Sequence, residues 1–114
     1  MKAFAIATAL LLSCPTLILA DGHNYCACQE KTDSSNLPVA ATTTCCIRNG
    51  DGAAMEHREA DWNHTPPGIP FTGEYCGSQP GASGQKPKLI DGDKFNSCCR
   101  SVLGNKADSA CSKI

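Results

Sequence analysis

Cysteine constrains this chain more than any other residue. Nine cysteines occur in 114 residues, and eight of them fall after residue 20: Cys26, Cys28, Cys45, Cys46, Cys76, Cys98, Cys99 and Cys111. An even set in a short chain reads as a disulfide framework formed in an oxidising compartment. Physical need points the same way. Beyond residue 20 the bulky apolar side chains are Trp62, Phe71 and Phe95, joined by Tyr25, Tyr75 and a handful of Leu, Ile and Val. Such a chain buries too little apolar surface to offset its backbone entropy unaided. A bridge closing a loop of about twenty residues contributes ~3 kcal/mol by restricting the unfolded ensemble.

The first twenty residues read as a signal peptide, with Lys2 as the positive region, Ala3 to Leu12 as the apolar stretch and Ala20 at the cleavage point. Ser13, Cys14 and Pro15 interrupt the run, which is too short to span a bilayer. Leu11-Leu12-Ser13-Cys14 has the outline of a lipidation site, but Pro15 follows directly and apolar residues continue to Leu19. The expected organisation is therefore a leader over 1–20 and one disulfide-stabilised, secreted, extracellular domain over 21–114. A formal net charge of −1 argues against nucleic acid or an anionic membrane as partner. Charge is unevenly spread: residues 21–64 hold three basic and seven acidic side chains, residues 65–114 six and four.

An internal repeat organises the domain. Tyr25-Cys26-Ala27-Cys28-Gln29 matches Tyr75-Cys76-Gly77-Ser78-Gln79, and each is followed by a cysteine doublet, Cys45-Cys46 or Cys98-Cys99. Tyr25–Gln29 and Glu74–Ser78 read as short strands. A helix follows each, the first capped by Asn36 with Pro38 in its opening turn, the second by Asp93 with Gly104 as its stop. Phe95, Cys98, Cys99, Val102 and Leu103 make one apolar stripe at helical spacing. Ala53–Arg58 and Ala110–Ile114 complete the halves as strands. The fold class is thus α+β: a doubled β-α-β unit with a four-stranded antiparallel sheet and two helices on one face. The repeat leads us to expect Cys26 or Cys28 to bridge to the first doublet and Cys76 to the second, with Cys111 tying down the last strand. Eight cysteines otherwise leave the connectivity open.

Residues that could carry chemistry are few. Glu56 to His64 packs two imidazoles and three carboxylates into nine residues, but its spacing fits no zinc motif, so it reads as a solvated charged loop. Adjacent cysteine doublets are poor zinc ligands. No serine lies in a nucleophile elbow, and bridged cysteines offer no thiolate. No catalytic residue, metal or cofactor is assigned, and the domain is read as a monomeric binding protein rather than an enzyme. Asn63-His64-Thr65 is a sequon that offers Asn63 for glycosylation, with Pro66 behind it lowering occupancy. The loops over 59–74 and 79–90 are the expected recognition surface.

The series Cys26-x-Cys28, Thr43-Thr44-Cys45-Cys46, Tyr75-Cys76, Ile90-x-Gly92-x-x-Phe95-x-x-Cys98-Cys99 and Ser109-x-Cys111 resembles small cysteine-rich secreted proteins of filamentous ascomycete fungi, including biotrophy-associated effectors. The paired halves are similar in outline to fungal virus-encoded killer toxins. The resemblance implies export to the host apoplast and action there by binding a host or microbial protein or glycan. A toxin or antimicrobial protein on the same scaffold is the alternative. A surface-active wall protein is the third reading. Hydrophobins also have eight cysteines with two doublets, but in a different order and with long apolar loops that this chain lacks.

Overall fold

The computed structural model describes residues 22–63, 67–81 and 88–113. The expected leader lies outside the described residues. In chain order the elements are β1 (Gly22–His23), β2 (Tyr25–Gln29), α1 (Val39–Asn49), β3 (Ala54–Arg58), β4 (Gly73–Gly77), β5 (Ile90–Asp91), α2 (Gly92–Leu103) and β6 (Asp108–Cys111). Four strands form one antiparallel sheet in the order β3-β4-β2-β6, and β1 pairs with β5 in a separate two-stranded ribbon. The doubled β-α-β architecture is therefore present, in α+β form.

Alternation along the strands divides the sheet into two buried faces. Cys26 and Cys28 of β2 and Cys76 of β4 point to the helices, where they meet Ala41, Cys45, Cys46, Phe95, Cys98 and Cys99. Ala27, Tyr75 and Ala110 point the other way, against Leu37 and Ile69. This second face carries no helix among the described residues. Its cover is the loop after β3, which expectation assigned to recognition. Asp61 and Ile69 exchange backbone hydrogen bonds at 2.8 and 3.2 Å, and the Lys113 amide donates to the Gly68 carbonyl at 3.0 Å. The buried Tyr75 hydroxyl donates to the Phe71 carbonyl at 2.5 Å and accepts from the Phe71 amide at 3.2 Å. Burial pushes the ionisation of Tyr75 above its ordinary range, with the bond to the Phe71 carbonyl opposing.

Four disulfides join Cys26 to Cys111, Cys28 to Cys99, Cys45 to Cys98 and Cys46 to Cys76. The expected bridging within each half is therefore corrected: Cys28 reaches the second doublet and Cys76 the first. Strand order supplies the reason. The halves interleave in the sheet, so α1 lies over β4 as well as β2, while α2 lies over β2 and β6. Cys46 thus stands over Cys76, and Cys99 over Cys28. Cys45–Cys98 staples helix to helix. Cys26–Cys111 links directly opposed positions of β2 and β6, with Cα atoms 4.1 Å apart.

The helix ends also depart from expectation. Pro38, not Asn36, occupies the start of α1, with no side-chain cap; the Asn36 side-chain Nδ2 instead donates to the Glu30 carboxylate at 2.6 Å. Thr42, Thr43 and Thr44 each turn a hydroxyl back to the carbonyl four residues earlier. Asp91, not Asp93, caps α2, its Oδ1 accepting from the Asp93 and Lys94 amides at 3.0 and 3.2 Å. Gly104 stops that helix at φ 109°, a conformation that favours glycine. The apolar stripe of α2 holds for Phe95, Cys98 and Cys99, whereas Val102 and Leu103 in the last turn stand 40% and 41% exposed. The final strand begins at Asp108, two residues earlier than Ala110, because its register with β2 runs from Cys111 opposite Cys26 to Asp108 opposite Gln29.

Candidate binding groove

On the second face, beside the edge strand β6, the covering loop leaves a groove of about 520 Å³. One wall is aromatic, built from Trp62 and Phe71 with Pro70 between elements. The other is polar: Gln29 from the end of β2, Thr32 and Asp33 from the turn that follows it, and Asp108 from β6. Gln29 and Asp108 face each other because they are register partners across β2 and β6.

Gln29 and Asp108 are held from behind. Gln29 is buried, and its amide nitrogen donates to the Ser34 carbonyl at 2.9 Å. The Asp108 carboxylate accepts from the Thr32 hydroxyl at 2.9 Å and from the Ser109 amide at 2.8 Å. Asp33 sits in the turn at φ 63°, in the left-handed region that Asp and Asn enter more readily than bulkier residues. Trp62 is 49% exposed, and the Lys113 ammonium lies 4.5 Å from its ring centroid. Covalent bracing comes from Cys111 on β6, itself part of the groove lining.

A second, smaller hollow of about 390 Å³ lies along the other edge of the sheet, between His57, Glu59, Asp61 and Ile69. His57 belongs to strand β3, within the strand expected over Ala53–Arg58, and the charged loop expected over Glu56 to His64 begins only after Arg58. Its Nδ1 stands 2.5 Å from Glu74 and its Nε2 2.5 Å from Glu59. An imidazolium satisfies both carboxylates by donating from both nitrogens. The hydrogen bond to Glu59, then that to Glu74, raises the His57 pKa above 6.5. Across the sheet, the Arg58 guanidinium lies 4.8 Å from the Tyr25 ring centroid.

Of the other residues singled out in the sequence, Asn63 sits exposed in the turn next to Trp62. The rest of its sequon, with His64, lies outside the described residues, as do 82–87 of the second expected recognition loop. The sulfurs of Cys28, Cys45 and Cys99 come within 4.8 Å of one another, but all three are committed to disulfides. The first recognition loop is divided in use: Trp62 faces solvent, while Ile69 is buried and Phe71 packs against the sheet. The polar wall was missed altogether. Gln29, Thr32, Asp33 and Asp108 are scattered in sequence, and only the pairing of β2 with β6 assembles them.

No helix among the described residues is long and apolar enough to cross a membrane. Four disulfides in so short a chain are the mark of proteins that mature in an oxidising compartment. Compared with known proteins, the chain matches no family description, no curated protein and no solved structure. The class defined by the fold is thus a small α+β domain cross-linked by disulfides.

Proposed function

We propose that this chain is an effector-like protein, secreted by a filamentous fungus, that acts by binding a protein or glycan at the interface with its host, with the groove beside Trp62 as its binding surface. One observation carries the reading. In a chain so poor in bulky apolar side chains, the single tryptophan is left half in solvent. Burying it would have contributed as much as any residue here, since an aromatic side chain dominates the energetics of core or interface alike. A half-exposed tryptophan on a braced frame fits a contact surface better than a folding role. The resemblance in cysteine order supports the fungal and host-interface part of the proposal.

The test compares the oxidised protein with its Trp62→Ala variant for retention on extracellular fluid and wall material from colonised host tissue. The reading expects retention that the substitution abolishes. Equal retention of both proteins would refute the groove as the binding surface. Growth inhibition of competing microbes, undiminished by the substitution, would replace the reading with that of a toxin.

A further inference from the structure

We propose that the groove receives a basic side chain, arginine above all, from a protein partner; this deepens the binding reading above and rests on it. The argument is an inventory of donors and acceptors. No described residue bonds the Asp33 carboxylate. The Thr32 hydroxyl is spent as a donor to Asp108. Gln29 is 4% exposed, with its amide nitrogen spent on Ser34, which leaves Oε1 without a hydrogen bond among the described residues. What the groove offers is therefore two carboxylates and an amide oxygen against one donor, the Trp62 indole N–H, with the Ser109 hydroxyl able to act either way.

A surplus of acceptors asks for a guest that only donates. A guanidinium is such a guest: it carries five N–H donors and no acceptor, and its plane stacks on aromatic rings. Trp62 and Phe71 supply that surface. The Trp62 ring already takes one ammonium, that of Lys113, a contact of the same chemistry as the one proposed. Lys113 opposes a second cation, but the carboxylates of Asp33 and Asp108 outnumber it. A saccharide presents donors and acceptors in comparable number, and its acceptors would find few partners here.

Trp62, the sole tryptophan of the chain, reports on the groove by its own fluorescence. The oxidised protein would be titrated with a capped arginine peptide, with the same peptide carrying citrulline, and with an N-acetylglucosamine trimer. A saturable change with arginine is expected, weakened about tenfold with citrulline, which keeps the shape and loses the charge. Asp33→Asn suits the left-handed backbone and is expected to weaken arginine binding about three- to tenfold, with the disulfide pairing unchanged. Equal response to citrulline, or indifference to Asp33→Asn, overturns the inference. Saturation by the trimer with no response to arginine also overturns it, while leaving the binding reading intact. Silence toward both ligands overturns it too, and the binding reading falls with it only if retention on host material is also independent of Trp62.

Discussion

The Tyr75 hydroxyl both donates to and accepts from the backbone of Phe71, so one side chain on β4 pins the loop that covers the second face of the sheet. Removing that hydroxyl strands two backbone groups in a partly buried place. Tyr75→Phe is therefore expected to lower stability by about 1–3 kcal/mol. The denaturant midpoint should fall with little change in slope, and an unaltered midpoint would show that the clamp contributes nothing.

The crossed bridges make a sharper claim. Partial reduction with stepwise alkylation, followed by fragmentation between the adjacent cysteines, should join Cys46 to Cys76 and Cys28 to Cys99. A Cys76–Cys99 link would contradict the interleaved sheet. Replacing Cys28 and Cys99 together by serine leaves Cys26–Cys111 and Cys45–Cys98 holding both ends of the lost bridge, so the loop it alone closes is short. The expected cost is about 3 kcal/mol, read from the shift in chemical denaturation.

Capping separates the two aspartates at the head of α2. Asp91→Ala should destabilise by about 1 kcal/mol, because it leaves the Asp93 and Lys94 amides without their acceptor. Asp93→Ala, which disturbs only a charge near the helix N-terminus, should cost about 0.5 kcal/mol. Thermal melts of the two variants would rank them, and the reverse order would return the cap to Asp93.

For His57 the sign follows from the direction of its shift. Its pKa is raised in the folded state by Glu59 first and Glu74 second. The stabilisation is fully present below the ordinary value of 6.5 and is lost as pH rises through the folded value. Since the ring is exposed, the effect is small, and NMR titration of its carbon-bound protons is the suitable measurement. Glu59→Gln should lower the midpoint, and Glu74→Gln should do so by less. A midpoint at or below 6.5 in the parent protein would contradict the paired geometry.

Local structure was largely legible in the sequence. Tyr25–Gln29 is a strand as read, and Gly104 ends α2 where its φ of 109° favours glycine. What escaped was pairing at a distance. The repeat showed two similar halves but contained nothing about whether they lie side by side or interleaved, and the disulfide map turns on that choice. The groove escaped for the same reason, since Gln29 and Asp108 meet only through the β2–β6 register. Capping was misread at close range: Asp91 and Asp93 are both good caps by composition, and the short β1–β5 ribbon starts the helix two residues earlier by holding Asp91 extended.

All four bridges link a cysteine between positions 26 and 46 to one between positions 76 and 111. A protease that cuts once anywhere between Cys46 and Cys76 therefore releases no fragment. It converts one chain into two that remain tethered at four points, with the sheet still threaded through both. On a gel run without reductant the nicked molecule would migrate with the intact one, and only a reducing agent would reveal the break. Tolerance of scission is built into the order in which the sulfurs are joined.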